Sequence, residues 1–270
     1  MNDENKNFAV IGNDINNAIF KNLTASDMNV FLVCCMYAKD MGTTLVEIPF
    51  PVLREKANFR KGSNKDFSEE LKALAKKLLD SQIYVQDNNG WAMFNLFQTF
   101  RANEDEAVLS IRVSEDWQYA LNSIVSNFSQ VNYQTYIAIK KKYAKRLYMK
   151  LCQYRANGWW KVKIEEFRYI LDIPDSCPDR NINSKIIQPA LKELMQYFKY
   201  LEVKKEVDMF IFTFDFLEAP PRLQVKEQLQ KTTKSRKKSS TKTNKFHNFH
   251  EREQDDNYFD LLEQALLDAK

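Results

Sequence analysis

Apolar positions along the chain fall into the same succession of periods twice. In the first half, Val30, Phe31, Val33, Cys34 and Tyr37 follow the segment Leu23-Thr24-Ala25-Ser26-Asp27. Thr24 stands three residues ahead of Asp27, the spacing of a helix N-cap and its partner. Residues 45–48 are a short strand candidate, and Pro51 opens a short helix containing Val52, Leu53 and Ala57. After the polar break Arg60-Lys61-Gly62-Ser63-Asn64, the residues Phe67, Leu71, Leu74 and Leu78 recur at helical spacing and predict a longer helix with one core-facing stripe. Residues 82–86 and 91–100, joined by Asp87-Asn88-Asn89-Gly90, predict a hairpin. Val108 to Val113 alternates as a further strand, and Ser114-Glu115-Asp116 caps another short helix.

The second half repeats the order. Ile139, Tyr143, Leu147, Leu151 and Tyr154 predict one helix over residues 132–155, ended by Asn157-Gly158 as a left-handed terminator. A strand over 160–164 and a short helix over 164–171 follow, with Phe167, Ile170 and Leu171 inward. After a break at 174–179, Ile182, Ile186, Ala190, Leu194 and Phe198 predict a helix over 181–198, which Pro189 should bend by removing one backbone donor. Residues 200–207 and 209–217 form a hairpin around Val207-Asp208. Helix, strand, short helix, long helix and hairpin is the order of a winged helix, a helix-turn-helix closed by a β-hairpin wing. The fold class is therefore α+β: two tandem winged-helix domains over residues 1–125 and 126–218.

Pro220-Pro221 marks the edge of the second domain. Residues 231–245 are Lys, Ser, Thr, Arg and Asn only, so they bury nothing that would offset the entropy of ordering. Residues 219–270 read as a disordered basic linker. It ends in a short amphipathic segment carrying Tyr258, Phe259, Leu261, Leu262, Leu266 and Leu267.

Composition narrows the chemistry. Five glycines in 270 residues argue against Gly-rich phosphate loops, and no G-x-x-x-x-G-K-[ST] run occurs. The only two histidines, His247 and His250, lie in the tail, so no Ser/His/Asp or Cys/His set and no paired-histidine nicking site can be assembled in the body. Cys34, Cys35, Cys152 and Cys177 include no C-x-x-C pair, so neither a metal nor another cofactor is expected. Cys34 and Cys35 read as small core residues. The longest apolar stretch is too short to cross a bilayer, and the N-terminus lacks a signal-peptide core. A cytoplasmic, non-enzymatic protein is expected.

The net charge of +4 says little, but its placement says more. Residues 140–163 carry nine Lys or Arg and no acid, a stripe that can meet phosphates or simply be a solvated helix face. Residues 181–198 are the candidate recognition helix. Arg180, Asn181, Asn183, Ser184, Lys185, Gln188 and Lys192 lie at its start or off its apolar stripe, where such helices meet base edges in a major groove. Lys204 and Lys205 sit in the wing hairpin. In the first domain Arg60, Lys61, Ser63, Asn64, Lys65, Lys72 and Lys76 occupy the equivalent place and suit backbone contact. Lys140, Lys141, Lys142, Lys145 and Arg146 on the first helix of the second domain suit phosphate contact. Trp159 and Trp160 read as core at a strand start, with base stacking as the alternative.

The runs Lys145-Arg146-Leu147-Tyr148, Gln153-Tyr154-Arg155, Gly158-Trp159-Trp160, Ile164-Glu165-Glu166-Phe167-Arg168 and Ile187-Gln188-Pro189-Ala190-Leu191-Lys192-Glu193-Leu194 resemble the second domain of the replication initiators of theta-replicating, iteron-bearing plasmids. The first domain fits that family in its order of elements, and the resemblance covers about residues 10–218. It implies tandem winged helices that bind repeated sites in double-stranded plasmid origin DNA and help open it. It also implies recruitment of the host initiator ATPase and of the replicative helicase or its loader. A homodimer in equilibrium with monomer would repress the initiator's own promoter. The N-terminal domain would then dimerise and grip backbone, and the C-terminal domain would read sequence. A winged-helix transcriptional regulator, or a helicase-loader scaffold docking through residues 246–267, are the competing readings.

Overall fold

The capping signal at Thr24 is the first to be realised. In the computed structural model, which describes residues 8–17, 21–59, 62–80, 83–87, 90–122 and 128–220, the Asp27 amide donates to Thr24 Oγ1 (3.1 Å) and the Thr24 amide donates to the Asp27 carboxylate (2.8 Å). This reciprocal box starts a buried helix. Arg60, Lys61 and the whole tail from residue 221 lie outside the described residues.

The first domain runs β1 (Phe8–Gly12), α1 (Asn13–Asn17), α2 (Ala25–Ala38), β2 (Val46–Pro49), α3 (Phe50–Lys56), α4 (Asn64–Asp80), β3 (Ile83–Asp87), β4 (Gly90–Phe94), β5 (Phe97–Asn103) and β6 (Val108–Val113). Phe67, Leu71, Leu74 and Leu78 are all buried, so the α4 stripe faces the core as its spacing requires. Cys34 and Cys35 are buried and reduced, and burial pushes the Cys34 thiol up to about 12. The predicted hairpin divides in two. Among the described residues β3 and β4 pair only with each other across Asp87–Gly90, and the strand ends before Asn95. Ser114 holds that point by donating its hydroxyl to Asn95 O (2.8 Å) and its amide to Leu96 O (2.9 Å). β5 then pairs with β6, and that second hairpin is the wing.

The second domain runs β7 (Phe128–Asn132), α5 (Tyr133–Ala138), α6 (Lys142–Gln153), β8 (Trp159–Lys163), α7 (Ile164–Leu171), α8 (Asp179–Ile182), a π-helical turn (Asn183–Ile187), α9 (Gln188–Leu194), β9 (Phe198–Lys205) and β10 (Met209–Phe216). Its sheet has the order β8-β10-β9, and that of the first domain β2-β6-β5, all antiparallel. The two domains therefore share a topology, with β3–β4 inserted into the first. Trp160 stacks on Phe212 (5.4 Å between ring centroids) and on Tyr154 (5.9 Å), so the second core is aromatic. Each such ring, once buried, stabilises by about 1.5–3 kcal/mol. Gly158 (φ +73°) ends the turn after α6, and its amide donates to Tyr154 O (3.1 Å), the left-handed close that its identity announced.

The single helix expected over 132–155 is interrupted. Asn132 caps α5 through its side chain, and Ile139 (ψ 127°) and Lys141 (ψ 132°) are extended before α6 restarts. Glu193 on α9 fixes the interruption: its carboxylate accepts the amides of Lys140 (2.5 Å) and Lys141 (3.3 Å). Nothing in Ile139-Lys140-Lys141-Lys142 announces a break, because the stabilising carboxylate comes from residues far along the chain. β1 and β7, which pair over Phe8–Gly12 and Phe128–Asn132, also lacked a strong local signal.

The domains meet across α2 and α6, and at their junction Lys145 is fully buried. Its Nζ donates to Asn29 Oδ1 (2.5 Å) and to Tyr136 O, and lies 4.4 Å from the Tyr136 ring centre. Asn29 Nδ2 in turn donates to Ala57 O (2.9 Å). Burial pushes the Lys145 amine down from 10.5 to about 7, against a smaller opposing pull from Glu193. A neutral amine has two N–H groups and meets two acceptors here, so the bridge is complete without a counter-ion. Around it, Lys142 and Arg146 lie 3.9 and 3.7 Å from the Asp172 carboxylate, which also accepts the Asn22 amide (2.9 Å).

Removing Asn29 takes one of the amine's two acceptors and leaves the Ala57 carbonyl without this donor, so Asn29→Ala should cost about 1–3 kcal/mol in urea unfolding. Between pH 7 and 10.5 the unfolded chain holds the Lys145 proton and the folded chain has released it. Stability from this group therefore rises with pH across that window. Lys145→Met should flatten this part of the slope, so its melting temperature relative to wild type falls from pH 6 to pH 9. Lys150, lowered to about 8 by burial, keeps its own slope in the variant. A constant difference between the two proteins across pH would show that the amine stays charged.

Candidate nucleic-acid interface

The approach to the candidate recognition helix is held by one side chain. α7 ends at Asp172 in a left-handed conformation (φ +54°), and the chain turns through Pro174 and Cys177. Arg168 spans that turn. Its guanidinium donates to Cys177 O (2.6 Å), to Pro174 O (3.0 Å) and to the Asp179 carboxylate (2.8 Å) at the first residue of α8. A planar fork with several donors can hold three acceptors at once, which an ammonium cannot.

From Asp179 the chain is helical to Tyr197, but not uniformly α. Pro189 offers no amide and its ring crowds the carbonyl four residues earlier. The helix widens just ahead of it, where the Gln188 amide donates to Asn183 O, five residues back. That wider turn also keeps the four-residue repeat Ile182, Ile186, Ala190, Leu194 on one face, which a pure 3.6-residue period would carry round the helix. Ile187 and Leu191 join the buried side.

Arg180, Asn183, Ser184, Lys185, Gln188 and Lys192 are exposed on the other side, with Asn181 half-buried. Gln188 Nε2 lies 3.3 Å from Asn183 Oδ1, which sets two amide side chains next to each other. Such amides can present the donor–acceptor pair that adenine requires, and Arg180 and Lys185 can serve guanine. Lys140 and Lys141 flank this face, and Lys141 Nζ donates to Pro189 O (3.1 Å). On the wing, the Lys204 side chain is 79% exposed and its nearest acid, Glu206, is 4.0 Å away. Lys205 is exposed beside it. Asp179, Glu193 and Glu206 are each engaged by a neighbour, and with Glu202 exposed on β9 the cations of this region still outnumber its free acids.

In the first domain Ser63 has a structural task. Its hydroxyl accepts the Asp66 amide (3.2 Å), and its own amide and hydroxyl donate to the Asp66 carboxylate (2.9 and 2.8 Å) at the start of α4. These hydrogen bonds hold Asp66 below the usual carboxylate range. Gly62 (φ +121°) precedes the box in a backbone region that favours glycine. Asn64, Lys65, Lys72 and Lys76 are exposed along α4, with Lys72 3.3 Å from Glu69.

Two expected phosphate contacts are corrected. Lys145 is fully buried in the domain junction and cannot reach DNA in this structure. Arg146 is largely buried, and its guanidinium donates to Ile170 O (3.1 Å) and pairs with Asp172. Both lie on the side of α6 that packs, not on its outer side. Conversely, Arg168 and Glu193 were within the motif runs but had no assigned role. Arg168 positions the start of the candidate recognition helix through contacts 6 to 11 residues away, and Glu193 holds the Lys140–Lys141 break from more than 50 residues away.

A family model described as "Initiator Replication protein, WH1" matches residues 9–152, and one described as "Initiator Rep protein, WH2" matches residues 163–214. The chain belongs to the replication initiator family. Among curated relatives, this initiator is 28% identical over 216 residues to a "Probable replication protein rep" of Bifidobacterium longum (strain NCC 2705), covering 77% of this chain and 72% of the relative. Its fold matches the crystal structure of Pi initiator protein in complex with iteron DNA with a TM-score of 0.61 at 14% identity, over 80% of this chain and 99% of that one.

If Arg168 sets the entry to the initiator's recognition helix, Arg168→Ala should keep the helical content but strand the carbonyls of Pro174 and Cys177. The expected losses are about 1–3 kcal/mol of stability and a weaker affinity for duplex DNA, measured by thermal melts and titration. Arg168→Lys should recover only part of both.

Proposed function

We infer that this initiator binds repeated sites in a plasmid replication origin, helps to open the duplex there, and recruits the host initiator ATPase and the replicative helicase or its loader. It acts in the bacterial cytoplasm, as a monomer in equilibrium with a homodimer that represses its own promoter. It works by binding, without catalysis or cofactor. The observation that carries this reading is the exposed face of the helix from Asp179 to Tyr197, with Lys140 and Lys141 on one flank and the wing lysines Lys204 and Lys205 belonging to the same domain.

The division of labour follows from side-chain chemistry. Arg180, Asn181, Asn183, Ser184, Lys185, Gln188 and Lys192 read base edges, because they include the bidentate-capable types on the outward side of a helix. Lys204, Lys205, Lys140 and Lys141 grip phosphates around it. Asn64, Lys65 and Lys72 give the first domain a backbone contact, with Arg60 and Lys61 assigned to it from sequence alone. The first domain, residues 1–125, also carries dimerisation, and residues 126–218 carry the principal recognition. Residues 219–270 add a basic tether. No described helix is long and apolar enough to cross a membrane.

Footprinting on the DNA around the gene tests this reading. Protection of several direct repeats, with strand opening on supercoiled template, is expected. Protection of a single inverted repeat would indicate a transcriptional repressor instead, and no footprint at any salt would leave a loader-type scaffold. Lys185→Ala with Gln188→Ala should cost about 1–3 kcal/mol for each base edge no longer read, and should relax specificity. Unchanged affinity for the repeats would move base reading to another element. Removing residues 222–270 should flatten the salt dependence of non-specific binding, because each phosphate that is no longer neutralised lowers the slope by about 0.9.

A further inference from the structure

Opposite its buried side, the helix from Asp179 to Tyr197 carries one outward stripe. Asn181, Lys185, Gln188, Lys192 and Met195 recur along it at helical spacing. The first four suit DNA. Met195 offers DNA neither a charge nor a hydrogen bond, yet it is 47% exposed. Among the described residues, the ion pairs of this region engage Lys161, Arg168, Lys199 and Lys204, so Arg180, Lys185 and Lys192 are left to partners outside it. The chain leaves the second domain at the Met195 end of the same helix. There the Leu217 amide donates to Tyr197 O (3.1 Å), Asn132 Nδ2 donates to the Glu218 carboxylate (2.7 Å), and Arg155 donates to Glu218 O (3.3 Å). The Arg155 guanidinium also lies 3.9 Å from the Phe216 ring centre, so the exit point is fixed.

We propose that, in the absence of DNA, residues 253–268 of the same chain lie on this stripe and keep duplex off it. The proposal rests on the duplex-binding reading, since the covered stripe is the one assigned to base edges.

Three features favour this occupant. First, charge along the tail is ordered: residues 222–252 hold ten Lys or Arg and two acids, whereas residues 253–270 hold six acids and one Lys. The acidic stretch suits the unpaired cations of the helix. Second, at helical spacing Tyr258, Phe259, Leu262 and Leu266 fall on one side, flanked by Glu263 and Asp268. An apolar stripe with acidic flanks matches a surface that sets Met195 beside Lys192. The lysines of residues 231–245 are nearer in sequence but have no apolar residue among them, and ion pairs between exposed chains are worth little. Third, the span fits. From Tyr197 back to Arg180 the helix covers about 25 Å at 1.5 Å per residue. The stretch from Pro221 to Arg252, as an unordered chain, would span on the order of 30 Å. A tether of matching span holds its end at high effective concentration, so weak docking is enough to occupy the stripe.

The test measures affinity of the full chain for a labelled duplex carrying the protected repeats, at one salt concentration. Asp255→Asn, Asp256→Asn, Glu263→Gln and Asp268→Asn together should tighten binding about tenfold, the change expected if the segment covers the stripe about nine-tenths of the time. Leu262→Ala with Leu266→Ala should also tighten it, although the charge of the tail is unchanged. Met195→Ala should tighten it as well, by weakening the docked state alone. A benzophenone amino acid in place of Phe259 should cross-link, without DNA and within one chain, to the helix between Lys185 and Met195, and duplex should suppress that product. In a protein that binds duplex, the proposal is overturned if any of the three variants fails to tighten binding. Tightening by the charge variant alone would mean repulsion between tail and phosphates with no docking. A cross-link that joins two chains, or that forms elsewhere on the body, overturns it too. Cross-linking to the stripe in a protein that binds no duplex would keep the docking and reject the function proposed above.

Discussion

Two similar domains on one chain act together only if something sets their relation, and here that is a buried amine. Lys145 reaches from α6 to Asn29 on α2 and to the Tyr136 carbonyl, and Asn29 carries the connection on to the end of α3. Taking a charged ammonium into such a site would be expensive, and neutralisation is the usual escape. Because the acceptors are an amide and a carbonyl and not a carboxylate, the junction tolerates loss of the proton. The pair Tyr133 and Lys56, joined by a hydrogen bond from the phenol to the Lys56 carbonyl, adds a second tie between the same regions.

The same junction decides what the basic stripe over 140–163 can do. Its cations point in different directions because α6 has one packed side and one exposed side. Lys145, Arg146 and Lys150 are drawn into the fold, whereas Lys140 and Lys141 stay outside and are pinned by Glu193. A carboxylate on α9 thus places the lysines beside it. Glu193 also lies close enough to pull on the Lys145 amine, so helix, break and junction form one connected set of interactions.

Membership of the replication initiator family gives the paired domains their context, but the candidate interface is shaped by local chemistry. Pro189 illustrates this. A proline inside a recognition helix would ordinarily weaken it, yet the π turn ahead of it absorbs the missing donor and keeps six apolar residues buried. Arg168 sets where the helix begins, and the wider turn sets which side chains face outward at its middle.

Local sequence determined the elements and their order. The caps at Thr24 and Gly158, the α4 stripe, the short helix from Ile164 to Leu171 and the wing around Val207 could all be read from residue spacing, because each rests on interactions within a few positions. The exposure of Arg180, Asn183, Ser184, Lys185, Gln188 and Lys192 was legible for the same reason. Tertiary structure decided the rest: the split of residues 132–155, the pairing of β1 with β7, the separation of β3–β4 from the wing, and the burial of Lys145 and Arg146. In each case the deciding partner lies far away in sequence, as Glu193 does for the break and Asn29 for the lysine. A lysine's period on a helix shows which way it points; only the neighbouring domain shows whether water or an asparagine is waiting there.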